Sequence, residues 1–259
     1  MDLIDDSQGP LWIYFMPDPN ELYVAGIDTA EGKIRDRRAG SIDLSDRDPD
    51  LNAAVVIRES DGEEVARYMS NYAPSLFSED VMLLGHFYGT ANGCKEDAFL
   101  VPERNAIGAA VIDDLIEAAY PRIMIQRRMN KLDGQWEKHV GFRTGPENRD
   151  VLIKDLQREI LSGECGINDR TTAKHVASMR RNSSGKAEAA SGSKDDLAMA
   201  YMLAQFGRRM LRVESGAESG GPLVRTSQAE RDAAYAAKVY GTGPEDSERE
   251  VSPEEDHPY

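Results

Sequence analysis

Two cysteines, Cys94 and Cys165, are all that 259 residues contain, and they stand far apart without CxxC or Cys/His spacing. That scarcity excludes a disulfide framework and a cysteine-based zinc site, and it fits a reducing interior. No apolar run approaches the roughly 20 residues needed to span a bilayer, and Met1 to Asp6 carries no basic n-region, so neither a membrane span nor a secretion signal is expected. Positive charge is also short. The 31 Lys and Arg against 46 Asp and Glu leave a net charge of −15, which argues against coating nucleic acid by bulk charge while leaving room for local basic patches. From Glu245 to the end, seven acidic residues face one Arg, so −6 of that charge sits in the tail and the body is only mildly acidic. The histidines His86, His139, His175 and His257 form no HExxH pattern, and neither a GxSxG elbow nor a Cys/His nucleophile pair occurs.

What the chain does have is three acidic sites, each in a recognisable frame. Asp28 ends the apolar run that starts at Tyr23, Glu103 ends the run from Phe99, and Asp195 with Asp196 opens an Ala-, Met- and Leu-rich helical stretch. A sheet-plus-helix fold could bring the three together, and clustered carboxylates that would repel one another are usually reconciled by a cation. Hard cations such as Mg²⁺ take oxygen ligands of this kind. Each acid also has a plainer reading. Asp28 is a strand-end residue, Glu103 a carboxylate favoured by a helix dipole, and either Asp195 or Asp196 an N-cap. Adjacent helical residues point about 100° apart, so one of that pair is expected to bind a metal directly and the other to act from behind it. Gly26 and Gly32 flank Asp28 and are expected to allow close backbone approach at a metal-phosphate site.

The organisation is that of one main domain, residues 1–212, followed by a polar tail, 213–259, with an acidic end. Strands are expected over Leu11–Met16, Glu21–Ile27, Asn52–Arg58 and Glu63–Ser70, with Asp61-Gly62 as a hairpin turn. A helix should follow with Ser78 as its N-cap. Ala98–Val101 reads as a buried strand, Ile107–Tyr120 as a helix, Ile123–Ile125 as a strand, Pro146–Ser162 as a helix stopped by Gly163, and Leu197–Leu211 as the last core helix. The small, polar segment 183–193 suits a hairpin or loop beside the acidic pair. The pattern over Gln228–Val239 allows a short helix, and Gly241–Tyr259 has too little apolar content to order.

These motifs, in this order, resemble the nuclease domain of the large terminase subunit, the DNA-packaging motor of tailed bacteriophages. Leu22 to Gly32 is similar to that family's first acidic motif, Asp50 to Val56 to the strand after it, Pro102 to Gly108 to the second motif, Gly141 to Thr144 with Asn148 to Ile153 to its linker and helix, and Gly185 to Ala200 to the closing motif. The resemblance covers roughly residues 10–212. It implies an α/β, ribonuclease H-like fold, a central mixed β-sheet flanked by helices. It also implies a metal-dependent endodeoxyribonuclease that cuts double-stranded DNA by two-metal hydrolysis during genome packaging, with Mg²⁺ or Mn²⁺, two ions, at Asp28, Glu103, Asp195 and Asp196. Lys194 stands where members of the family often carry His, and His175 near a place where they often carry Glu. Duplex DNA contacts are expected from Arg180, Arg181, Lys186 and Lys194, and less so from Arg122, Arg127, Arg128, Lys131 and Lys138. The implied partners are a portal protein, a small terminase subunit and a packaging ATPase domain, in the cytoplasm of the host and away from membranes. That ATPase has no counterpart here, because the chain contains no GxxxxGKS/T loop. The chain then reads as a separately encoded nuclease, a fragment or a remnant, and the rival to the enzyme is a catalytically weak or silent docking module for portal or DNA.

Overall fold

The computed structural model describes residues 9–33, 51–129, 135–181, 187–189 and 194–214. Five strands form the central sheet. The short edge strand β1 (Leu11–Ile13) pairs with β4 (Glu64–Ser70), which pairs with β3 (Asn52–Arg58), which pairs with β2 (Tyr23–Asp28), all antiparallel. β5 (Phe99–Pro102) then adds to β2 in parallel, giving the order β1-β4-β3-β2-β5. The β2–β3–β4 meander turns between β3 and β4 at Gly62, whose φ of +73° is the left-handed conformation that glycine takes at little cost. Parallel strands need a crossover, and α1 (Pro74–Phe87) lies in the connection to β5.

Alternation along the strands divides the core in two. Tyr23, Ala25, Ile27, Ala54 and Val56 face α1 and α2 (Gly108–Glu117), where Phe77, Val81, Leu84, Val111 and Leu115 complete one buried cluster. Val24, Ala53, Val55, Ile57 and Val101 face the other way, against α3 (Pro146–Ser162) and α5 (Asp196–Glu214). Both faces are covered, which is why β2 and β3 read as unbroken apolar runs. From Leu197 to Ala204 every residue of α5 is buried. A helix apolar all round belongs inside a protein, and each large side chain it hides stabilises by about 1.5–3 kcal/mol.

Several sequence expectations shift. Ser78 is not an N-cap: α1 begins four residues earlier at Pro74, whose fixed φ suits a first helical turn. The buried Ser78 hydroxyl instead bonds the Ser75 carbonyl and the Asp114 carboxylate of α2, tying the two helices together. The first strand stops at Ile13, three residues early. The expected strand at Ile123 is a single bridge to Leu100, and the chain continues into a separate hairpin of β6 (Ile125–Met129) and β7 (Trp136–Val140). A helix absent from the sequence reading, α4 (Arg170–Ser178), precedes a small hairpin of β8 (Met179–Arg181) and β9 (Ala187–Ala189). Gly163 does end α3, in the left-handed conformation with φ +72°. The chain divides into two units, Met1–Gly221 and Pro222–Tyr259. The second, with the Gln228–Val239 pattern and the acidic tail, lies outside the described residues, as do residues 182–186 and 190–193.

Candidate active site

Strand register brings the first two acids side by side. Ile27 pairs with Pro102 in the parallel β2–β5 ladder, and the Glu103 amide donates to the Ile27 carbonyl at 2.8 Å, so Asp28 and Glu103 end neighbouring strands. Adjacent strands lie about 4.8 Å apart. Asp28 shares the parity of Val24, and Glu103 that of Val101, so both point to the face that carries α5. Glu103 is buried, whereas Asp28 keeps part of its surface open. Asn105 fixes Glu103 from behind. Its amide nitrogen donates to Glu103 Oε2 at 2.8 Å, and its Oδ1 accepts from Ile107 N at 3.0 Å and Gly108 N at 2.6 Å, at the start of α2.

The third acidic element arrives by helix packing. A Cβ on Gly26 would lie 1.9 Å from the Ala200 carbonyl oxygen and 2.4 Å from Ala204 N, while one on Gly207 would meet Val24 and Val101. α5 therefore lies on β2 and runs against it. Four helical residues back from Ala200 cover about 6 Å, and two strand residues on from Gly26 cover about 6.6 Å, so the start of α5 draws level with Asp28. The glycines serve the backbone here. Gly26 admits α5, and Gly32, at φ +62°, admits the Tyr72 carbonyl, so the expected close backbone approach at both glycines is by the protein's own backbone.

At the start of α5, Asp195 holds the N-cap position, its carbonyl accepting from Met199 N at 2.8 Å. Its carboxylate forms an ion pair with Arg149 in the first turn of α3. The orphan amide of Leu197 donates instead to Nδ1 of the buried His175 on α4, at 3.3 Å, which places the imidazole proton on Nε2. Asp196, the first helical residue, is buried.

The electrostatics join the three elements. The Asp28 carboxyl is held well above its ordinary pKa, first by burial, then by the charge of Glu103 and a hydrogen bond with it, and then by Asp196 and Asp195. Carboxylate oxygens are the donors a hard divalent cation takes, and a cation would relieve this strain on Asp28, so the donor chemistry fits a metal such as Mg²⁺. Among the described residues no three such side chains already stand in a closed ligating set.

No family model matches the sequence, and no curated protein matches it. Solved structures do. The large terminase nuclease from thermophilic phage G20c with bound magnesium aligns over 77% of this chain and 88% of its own, at 17% identity and a TM-score of 0.55. The Thermus phage P74-26 large terminase nuclease domain aligns over 77% and 86%, at 18% identity and a TM-score of 0.52. The chain has the fold of a large terminase nuclease domain. Its mixed five-stranded sheet flanked by helices is the ribonuclease H-like arrangement expected from the sequence. The G20c nuclease has also been crystallised with cobalt and with zinc, at TM-scores of 0.54 and 0.51 to this chain.

Within this terminase-nuclease fold the basic residues are distributed differently from the acids. Arg180 and Arg181 lie in β8, whose backbone pairs with β9, rather than in a loop, and Lys186 is outside the described residues. Lys194 directly precedes the acidic pair, and its carbonyl lies 3.4 Å from the Ser178 hydroxyl. Arg122 is bound to Glu96 at 3.0 Å and to the Asp97 carbonyl, a structural post at the far end of β5. Asn105 and Arg149 touch the acids and His175 bonds the neighbouring Leu197 amide; none of the three was named as a site residue from the sequence, where His175 was noted only as standing near a place at which the family often carries Glu. Asn105 had the best signal, two positions after a strand-end acid and just before a helix, which is where an Asn side chain caps.

Proposed function

We propose that the chain is a metal-dependent endonuclease of the viral packaging type, cleaving double-stranded DNA, with Asp28, Glu103 and Asp196 as ligands and Asp195 joining them. The observation that carries the reading is the placement of the three elements: Asp28 and Glu103 end paired strands, the Glu103 amide bonding the Ile27 carbonyl at 2.8 Å, and the close seat of α5 on Gly26 brings its first residues level with them. The upward shift of the Asp28 carboxyl, from burial and then from Glu103, Asp196 and Asp195, agrees with that placement. Two divalent cations bound there would lower the pKa of an attacking water and stabilise the leaving 3′ oxygen, so that no side-chain nucleophile is required.

The protein's own residues supply placement. Asn105 holds one Glu103 oxygen, beside the hydrogen bond that joins Glu103 to Asp28. Asn52, fully buried, accepts from Ala30 N at 2.9 Å and donates to the Tyr72 carbonyl, which fixes the chain just after Asp28. His175 secures the start of α5, so that the Asp196 backbone cannot fray. Arg180, Arg181, Lys186 and Lys194 are proposed to contact phosphates, with portal, small subunit and a packaging ATPase domain as partners.

Thermal melts test the metal site. Two like charges about 4 Å apart cost on the order of 4 kcal/mol at an effective dielectric near 20, and most of that is relieved by protonation. A residual penalty of about 1 kcal/mol corresponds to about 2–4 °C for a domain of this size. Asp28→Asn should melt above the parent in chelator yet gain less from Mn²⁺. A parent that gains nothing from Mn²⁺, or a variant that gains as much, contradicts the assignment.

A further inference from the structure

We infer that Arg149 is the resident counter-cation of the acidic cluster, held on Asp195 until a divalent cation displaces it. The inference deepens the proposed metal site and rests on it.

Asp195 and Asp196 open α5 level with Asp28 and Glu103 at the ends of β2 and β5, and one of the four, Asp195, is already paired with the Arg149 guanidinium. Arg149 sits in the first turns of α3, behind Pro146, and α3 is anchored against α5 through the buried Leu152 and Leu156. The helix is packed in place, while the Arg149 side chain that it carries is partly open to solvent.

The pair also sits where exchange can occur. The side chains of Arg149 and Asp195 are 21% and 32% exposed, so a hydrated ion can reach them from solvent. Arg149 Nε, by contrast, is buried and has no hydrogen-bond partner. The guanidinium is thus held through one nitrogen rather than as a two-pronged fork, a weaker grip than arginine makes when built for permanence. Compare Arg209 on α5, which reaches both Asp155 at 3.3 Å and Glu159 at 2.5 Å. A single nitrogen–oxygen contact, partly open to solvent, is the geometry of a placeholder.

Its presence has two opposed effects. It offsets repulsion within the cluster when no divalent ion is bound, and it competes with and repels an incoming dication. Removing the charge should therefore destabilise the unloaded protein and tighten its hold on metal. A purely structural ion pair between α3 and α5 predicts lower stability with unchanged or weaker metal binding.

Calorimetric titration of the full chain with Mn²⁺ alone decides between them, using the parent, Arg149→Gln, Arg149→Lys and Asp28→Asn. The expected result is Mn²⁺ binding on the order of tenfold tighter in Arg149→Gln than in the parent, with Arg149→Lys close to the parent and Asp28→Asn much weaker. Arg149→Met keeps the apolar stem and should show the same tightening, so it stands in if the glutamine variant does not fold. Neutral variants that bind Mn²⁺ no more tightly than the parent, while Asp28→Asn still loses affinity, overturn the role of Arg149 and leave the metal site standing. A parent that binds no Mn²⁺, or an Asp28→Asn protein that binds as well as the parent, overturns both.

Discussion

Gly26 on β2 lies so close beneath Ala200 on α5 that a Cβ at Gly26 would come within 1.9 Å of the Ala200 carbonyl oxygen. The obstacle is backbone on both sides, so no side chain can turn away to make room. Gly26→Ala should push α5 off the sheet and cost about 3 kcal/mol, roughly 6–12 °C in melting temperature for a domain of this size. Because the start of α5 carries Asp195 and Asp196, Mn²⁺ affinity should fall as well. Melting within a degree of the parent would mean that α5 does not rest on β2 this closely.

A second prediction concerns Asn105, which joins the Glu103 carboxylate to the first turn of α2. Asn105→Ala removes both a cap, worth about 1 kcal/mol, and the hydrogen bond that orients a proposed ligand. Losing a residue of the latter kind typically costs 10- to 100-fold in metal affinity or activity, so a loss of about that size is expected. Calorimetry with Mn²⁺ checks it, and unchanged affinity would show that Glu103 needs no such support.

The fold was legible where burial and period agree. β2, β3 and β5 are largely apolar runs closed by turn residues, β4 follows the Asp61-Gly62 turn, and α3 and α5 carry long apolar patterns with a clear stop or start. What failed was local and had tertiary causes. α4 is short and polar along Arg170–Ser178, and it forms because its Asp169 N-cap and the buried Glu64 of β4 satisfy its first turn. Nothing in the nine residues themselves announces that. The acids of the site were visible because each ends a strand or opens a helix. The contacts of Arg149 and His175 were not, since their partners are distant in sequence: Asp195 and Leu197.

Glu64 supplies a prediction in pH. Its carboxylate is fully buried and accepts from Asn168 N at 2.9 Å, Asp169 N at 2.8 Å and the Thr172 hydroxyl at 2.8 Å, with Asp169, Arg67 and Tyr14 adjoining. Burial outweighs these donors, and the nearby Asp169 charge adds to it, raising the Glu64 pKa from 4.5 to about 7. A raised acid binds its proton more tightly in the folded state, so the contribution is full below about pH 4.5 and is lost as pH rises through about 7. Glu64→Gln mimics the protonated form and should lack that loss. Its stability relative to the parent should therefore improve between pH 5 and pH 8, by up to about 3 kcal/mol. The lowered Asp169 carboxyl acts in a different window, losing its contribution only in acid. Parallel pH dependences for parent and variant would rule out Glu64 as a buried titrating group.

The central claim, that Asp28, Glu103 and the α5 acids form one metal-dependent nuclease site, is tested most directly by supercoiled plasmid incubated with the parent and with Asp28→Ala, each in Mn²⁺ and in chelator. The account predicts nicked and linear DNA from the parent in Mn²⁺ only, and none from Asp28→Ala. Losing one ligand removes the site without emptying the core, so the variant should remain folded by circular dichroism. Cleavage by Asp28→Ala at the parent rate in Mn²⁺, or an intact plasmid with the folded parent, would contradict it.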